Sequence, residues 1–159
     1  MAEILGIASG IAGLLALTIE VYSTSAKYLS GVKNATATIN DVLRELKALK
    51  NILTELDKVS EHTESEKIFQ DRTSSLLSIE DTEEYREVLE RLRAKLLKQA
   101  SQTGLSLKLK NFAWPFSEEK TRNMVETLRR HVGIFTQALT IDTVHVTRYT
   151  LSIISRLTP

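Results

Sequence analysis

Apolar positions dominate the start of the chain without any charged counterpart. Between Glu3 and Glu20 there is no charge, and only Ser9 and Thr18 are polar. Ala2, Gly6, Ser9, Gly10, Gly13 and Ala16 fall on one stripe of a 3.6-residue helix, and Ile4, Ile7, Ile11, Leu14 and Leu15 fall on another side. Each glycine in a helix costs about 1 kcal/mol relative to alanine. A helix carrying Gly6, Gly10 and Gly13 therefore needs a reason to form, and the Gly6-xxx-Gly10 spacing supplies one, because small residues let another backbone approach closely. That device serves a tight soluble bundle as well as helices associating in lipid. From Ile4 to Ile19 the helix is roughly 24 Å long, slightly short of a committed membrane span. The expectation is a first helix buried among the others at rest and able to enter a membrane when released. Glu3 stands where a secretory signal would be basic, and no Lys or Arg precedes Lys27, so a signal peptide is not expected.

The first helix is predicted to run past Tyr22 and to stop at Gly31, which accepts the left-handed conformation that closes helices. Asn34 or Thr36 can cap the next. Ala35, Ile39, Val42, Leu46, Leu49, Leu53 and Leu56 then alternate spacings of four and three, leaving Arg44, Glu45, Lys47, Lys50 and Glu55 to the other faces. The run is short for a coiled-coil dimer and favours packing inside one bundle. Residues 60–79 are polar and read as a loop, with room for one short helix. Asp81 and Glu84 resemble a capping box, followed by a stripe at Tyr85, Val88, Leu89, Leu92, Leu96 and Ala100 and by a basic side at Arg86, Arg91, Arg93, Lys95 and Lys98. Gly104 closes that helix. Leu105, Leu107 and Leu109 alternate with polar residues at strand period, but with no second strand to pair with, a strand is discounted. Pro115 biases Trp114 towards extended backbone, and Ser117 is a natural N-cap with Glu118 and Glu119 at the positive end of the helix dipole. Met124, Leu128, Val132, Phe135 and Leu139 mark the buried side of this helix. A last helix is expected from Asp142 to Leu157, using Val144, Leu151 and Ile154, with a less regular pattern that fits a truncated or partner-covered surface.

Composition narrows the picture without changing it. The 159 residues are 42% hydrophobic and 26% charged, within the range of a single globular domain. A net charge of +1 gives no reason to expect a nucleic-acid partner, and acidic neighbours dilute Lys108, Lys110, Arg122, Arg129 and Arg130. The lack of cysteine excludes disulfides and thiol chemistry and fits a reducing cytosol. No phosphate-cradling G-x-x-x-x-G-K-[ST] and no G-x-S-x-G elbow occurs. His62, His131 and His145 lack metal-ligand spacing, and Glu118 and Glu119 diverge at a helix start, so they cannot act as a paired acid and base. The expectation is no catalysis, no cofactor and no metal.

Three features together carry a resemblance: the opening MAEILGIASGIAGLLAL, the heptad-like LRELKALKNILTELD, and FAWPFSEEKTRNMVETLRRHVGIFTQAL with its Trp-Pro-Phe turn. They resemble, over essentially residues 1–159, the HeLo-like N-terminal domain of fungal NLR-type (STAND) proteins, a family similar to HeLo and to the four-helix killer domain of the necroptosis pseudokinase. The resemblance implies an all-α helical bundle of about five helices in a single domain, excised from or normally followed by a regulatory region. It implies a role in programmed cell death, heterokaryon incompatibility and fungal innate immunity. Such a domain rests in the cytoplasm and moves to the plasma membrane after oligomerisation driven by a C-terminal NACHT, repeat or amyloid-motif regulator. Its membrane-inserting element corresponds to Ile4, Leu5, Gly6, Ile7, Gly10, Ile11, Gly13, Leu14, Leu15 and Leu17, its partners to membrane lipids, anionic ones included, and to other copies. Trp114, Pro115 and Phe116 are expected to anchor the helix that follows them. The alternative from a different class is a non-lytic signalling or oligomerisation module that recruits proteins through its basic faces and heptad seam.

Overall fold

The computed structural model describes residues 2–32, 34–62, 79–102 and 113–157; side chains at 2–9, 61–62, 79, 102, 142, 145–146 and 149 lie outside the description. Of the loop expected at 60–79, residues 60–62 belong to the second helix and 79 to the third; residues 63–78, like the Leu105–Leu109 alternation, lie outside the described residues. The chain folds as an all-α helical bundle. Among the described residues it comprises α1 (Ala2–Ser30), α2 (Ala37–His62), α3 (Ile79–Gln102) and α4 (Glu118–Leu157).

Helix ends follow local chemistry. Gly31 donates its N–H to the Tyr28 carbonyl at 3.0 Å and closes α1. Thr36 caps α2, its Oγ1 accepting from the Ile39 N–H at 3.4 Å. Ser117 caps α4: its Oγ accepts from the Lys120 N–H at 3.3 Å and its carbonyl from the Thr121 N–H at 2.9 Å. Asp81 does not cap α3, because the helix is already running at Ile79; with Glu80 it sits in the first turn, where the helix dipole favours acids.

Packing is organised on α2, which lies against both α1 and α4; α3 closes the ring against α1 and, more sparingly, α4. The α2 seam is spent inside this bundle. Val42, Leu46, Leu49, Leu53 and Leu56 are each fully buried, joined by Tyr85, Leu89, Leu92 and Leu96 of α3 and Leu128, Phe135 and Ala138 of α4. Each such aliphatic side chain contributes about 1.5–3 kcal/mol on burial. Ala100 is exposed, and Val132 and Leu139 are half-buried at the margin of the core.

The structure departs from the periodic reading in two further places. Glu45, assigned to an outer face of α2, is 8% exposed, and its Oε1 accepts from Arg129 Nε at 3.3 Å and Arg129 NH2 at 3.1 Å on α4. The expected break at Asp142 is absent: α4 runs unbroken for 40 residues. At 1.5 Å per residue α4 is about 60 Å long, against about 39 Å for α2. Its buried stripe ends at Ala138, and every side chain described from Thr143 to Leu157 is exposed.

Candidate functional site: the first helix and its anchorage

α1 is apolar almost all round but buried along one face only. Ile11, Leu14, Thr18, Val21, Ser25, Tyr28 and Leu29 face the core, and Leu15 and Leu17 are half-buried against it. Ala12, Gly13, Ala16 and Ile19 are exposed, Ile19 at 47%. The glycines do not do what their spacing led us to expect. A Cβ built on Gly10 or Gly13 meets nothing within 4 Å, so at these positions no neighbouring helix approaches closely. Among the described residues, α1 is thus not enclosed by the bundle, and its small-residue stripe is open at Gly10, Gly13 and Ala16. Ile4, Leu5, Gly6 and Ile7 belong to the first turns of α1, and their side chains lie outside the description. Among the described residues no helix is long and apolar enough to cross a membrane.

Polar ties at three places along α1, besides the Lys50 ammonium over the Tyr22 ring, hold it to the bundle among the described residues. The innermost is Thr18, whose Oγ1 donates to the Leu14 carbonyl at 2.6 Å and so keeps its lone pairs for the Tyr85 hydroxyl of α3, 2.8 Å away. Burial pushes the Tyr85 hydroxyl well above its ordinary value of 10.0 and pushes Tyr28 upward as well. A tyrosine whose folded value is raised gives stability that is fully present below its unfolded value and lost as pH rises beyond it. The unfolding free energy is therefore expected to fall above pH 10, and to fall less steeply in Tyr85→Phe; chemical denaturation across an alkaline pH series measures both. On the surface, Arg93 Nε of α3 meets Glu20 Oε1 at 2.7 Å, an exposed pair worth little by itself.

The third tie lies at the far end of α1, where the Trp-Pro-Phe turn docks. Trp114 packs edge-on to Tyr28 with centroids 6.3 Å apart and lies 5.6 Å from the Phe116 ring. Its Nε1 donates to Thr121 Oγ1 at 2.8 Å in the first turn of α4, and the Tyr28 hydroxyl donates to the Ala113 carbonyl at 2.6 Å. Through Trp114 and Tyr28 the turn links the start of α4 to the end of α1; Trp114, Pro115 and Phe116 are half-buried and not enclosed. Trp114→Ala is accordingly expected to cost about 2–3 kcal/mol, below the 3–5 typical of a fully buried ring, measured by urea unfolding.

A polar cluster that spacing could not reveal joins α3 to α4. His131 is fully buried, with Nδ1 2.8 Å from the Thr127 carbonyl and Nε2 2.9 Å from the Asp81 carbonyl. Carbonyls only accept, so both bonds form only when both ring nitrogens carry protons. The Glu84 carboxylate, 3.8 Å from Nε2 and itself paired with Arg130, is the neighbouring negative charge. Asp81, Glu84 and His131 bring potential ligand atoms within 4.8 Å of one another. With one ring nitrogen turned to a carbonyl of α4 and the other to a carbonyl of α3, the cluster acts as an interhelical tie.

Comparison with family models, curated proteins and solved structures finds no match for this chain.

Proposed function

We propose that the chain is a membrane-targeting cell-death effector domain of the HeLo-like kind, in which α1 is the element that leaves the bundle and disrupts the membrane after the copies cluster. The observation that carries this reading is the open face of α1 at Gly10 and Gly13, beside exposed Ala12, Ala16 and Ile19. A glycine-bearing face that no neighbour uses at rest gives up helix stability without a packing return in the bundle. In lipid the same face gains a role, because small residues let helices pack closely where backbone groups must be satisfied internally. Cytoplasmic residence at rest, relocation to the plasma membrane and control by a C-terminal NACHT, repeat or amyloid-motif region belong to the same proposal.

The protein-recruiting alternative has less to work with. The heptad seam from Val42 to Leu56 is fully buried and not on offer to a partner, which takes from that reading one of its two surfaces and leaves the basic faces.

Release of dye from vesicles of phosphatidylcholine and phosphatidylserine tests the proposal. Removing residues 1–22 would strip Ile11, Leu14 and Val21 from the core, so the informative deletion is 1–9, checked for folding by circular dichroism. The parent is expected to release dye and the folded deletion to lose that activity. Equal leakage from both would transfer the effector role away from the start of α1.

A further inference from the structure

We infer that the C-terminal half of α4 is a second membrane element, one that lies on an anionic lipid surface and does not cross it. From Thr143 to Leu157 the helix projects beyond the buried stripe and exposes Val144 (44%), Leu151 (60%), Ile153 (39%), Ile154 (52%) and Leu157 (76%). At 100° per residue, these five positions fall on one half of the helix, interleaved with exposed but uncharged Thr143, Thr147 and Thr150. Arg148, Ser152, Ser155 and Arg156 fall on the other half. The segment is therefore amphipathic along about four turns, whereas α1 is apolar on its buried and open faces alike.

Charge identifies the occupant of the apolar side. No Asp or Glu occurs between Thr143 and Leu157, and Arg148 and Arg156 are its only charged residues. A second copy docking through the same apolar side offers Arg148 and Arg156 no acidic partner from this segment, while an anionic headgroup layer complements both arginines as the apolar side chains sink into the acyl boundary. Helices of this pattern lie in the interface plane. Each arginine near such a surface is worth roughly five-fold in binding, so the pair contributes roughly 25-fold. This inference rests on the proposal that the protein acts at membranes, and it divides the work: α4 holds the body on the surface, and α1 perturbs the bilayer.

Binding and leakage read on the same vesicles separate the two ideas. Full-length protein is sedimented with vesicles of phosphatidylcholine alone or with phosphatidylserine added, as parent, Leu151→Ser/Ile154→Ser and Arg148→Glu/Arg156→Glu. The substituted side chains are exposed, so the variants are expected to keep the parent's circular dichroism. Expected are tighter parental binding to phosphatidylserine vesicles, reversed by salt; at least a five-fold loss in the serine variant; and loss of the lipid preference in the glutamate variant. Parent that binds through α4 but releases no dye supports this inference and sinks the role given to α1. Parent and both α4 variants binding and leaking alike overturns the inference and leaves α1 standing. Self-association in the absence of vesicles, abolished by Leu151→Ser/Ile154→Ser, also overturns it, because the apolar face then belongs to a second copy.

Discussion

Phe135→Ala is expected to destabilise the bundle by about 3–5 kcal/mol. Phe135 is fully buried. Its ring stands edge-on to Tyr85, with centroids 5.4 Å apart, and lies 6.1 Å from the His131 ring. Truncation removes the ring from the place where α3 and α4 meet, which is also the sparser of the bundle's helix contacts. The measured cost depends on how far the site collapses around the cavity. Against a total stability of about 5–15 kcal/mol for a domain of this kind, the loss leaves the protein marginal. Urea unfolding should show a lower midpoint with an unchanged slope. Val144→Ala, at an exposed site of the same helix, is the control and is expected to stay within about 0.5 kcal/mol of the parent.

The second large effect is on membrane activity with stability preserved. Gly10→Leu/Gly13→Leu places two side chains in open space, since nothing lies within 4 Å of a Cβ at either position. Leucine is also a better helix former than glycine, so thermal stability should hold or rise. Hydrophobicity increases as well, and a mechanism needing only apolar surface would leak faster. A mechanism in which several α1 helices pack through their small residues would instead lose that packing. We expect dye release to fall about ten-fold or more, equivalent to about 1.4 kcal/mol of lost association. Release equal to or faster than the parent's would show that close helix packing is not part of the mechanism.

How much of this could be read from the sequence depended on whether a feature repeats. The α2 seam was legible because Ile39, Val42, Leu46, Leu49, Leu53 and Leu56 keep a regular period, and burial follows that period residue by residue. The ends of α1, α2 and α4 were legible because Gly31, Thr36 and Ser117 satisfy local backbone groups. The continuity of α4 was not legible. A helix that leaves the bundle no longer has to present a core stripe, so its pattern weakens at Asp142 while local propensity carries it to Leu157. Glu45 was placed on the wrong face because its partner, Arg129, lies 84 positions away. The tie of His131 to Asp81, 50 positions apart, was hidden for the same reason. The glycine stripe was read correctly as unusual, but its expected close neighbour is absent at Gly10 and Gly13. For the candidate site, the sequence singled out the helix, and the structure added which of its faces is held and which is open.

If α1 must leave the bundle to act, a covalent tether that holds it in place should abolish membrane disruption. The chain has no cysteine, so Glu20→Cys/Arg93→Cys carries the only two thiols, at the exposed site where α1 meets α3. A flexible bis-maleimide joining them holds α1 to the bundle, and the same variant capped with N-ethylmaleimide serves as the untethered control. Dye release from phosphatidylserine-containing vesicles is predicted to be lost in the tethered protein and kept in the capped one. Equal release from both would contradict the account, because the membrane would then be disrupted with α1 still in place.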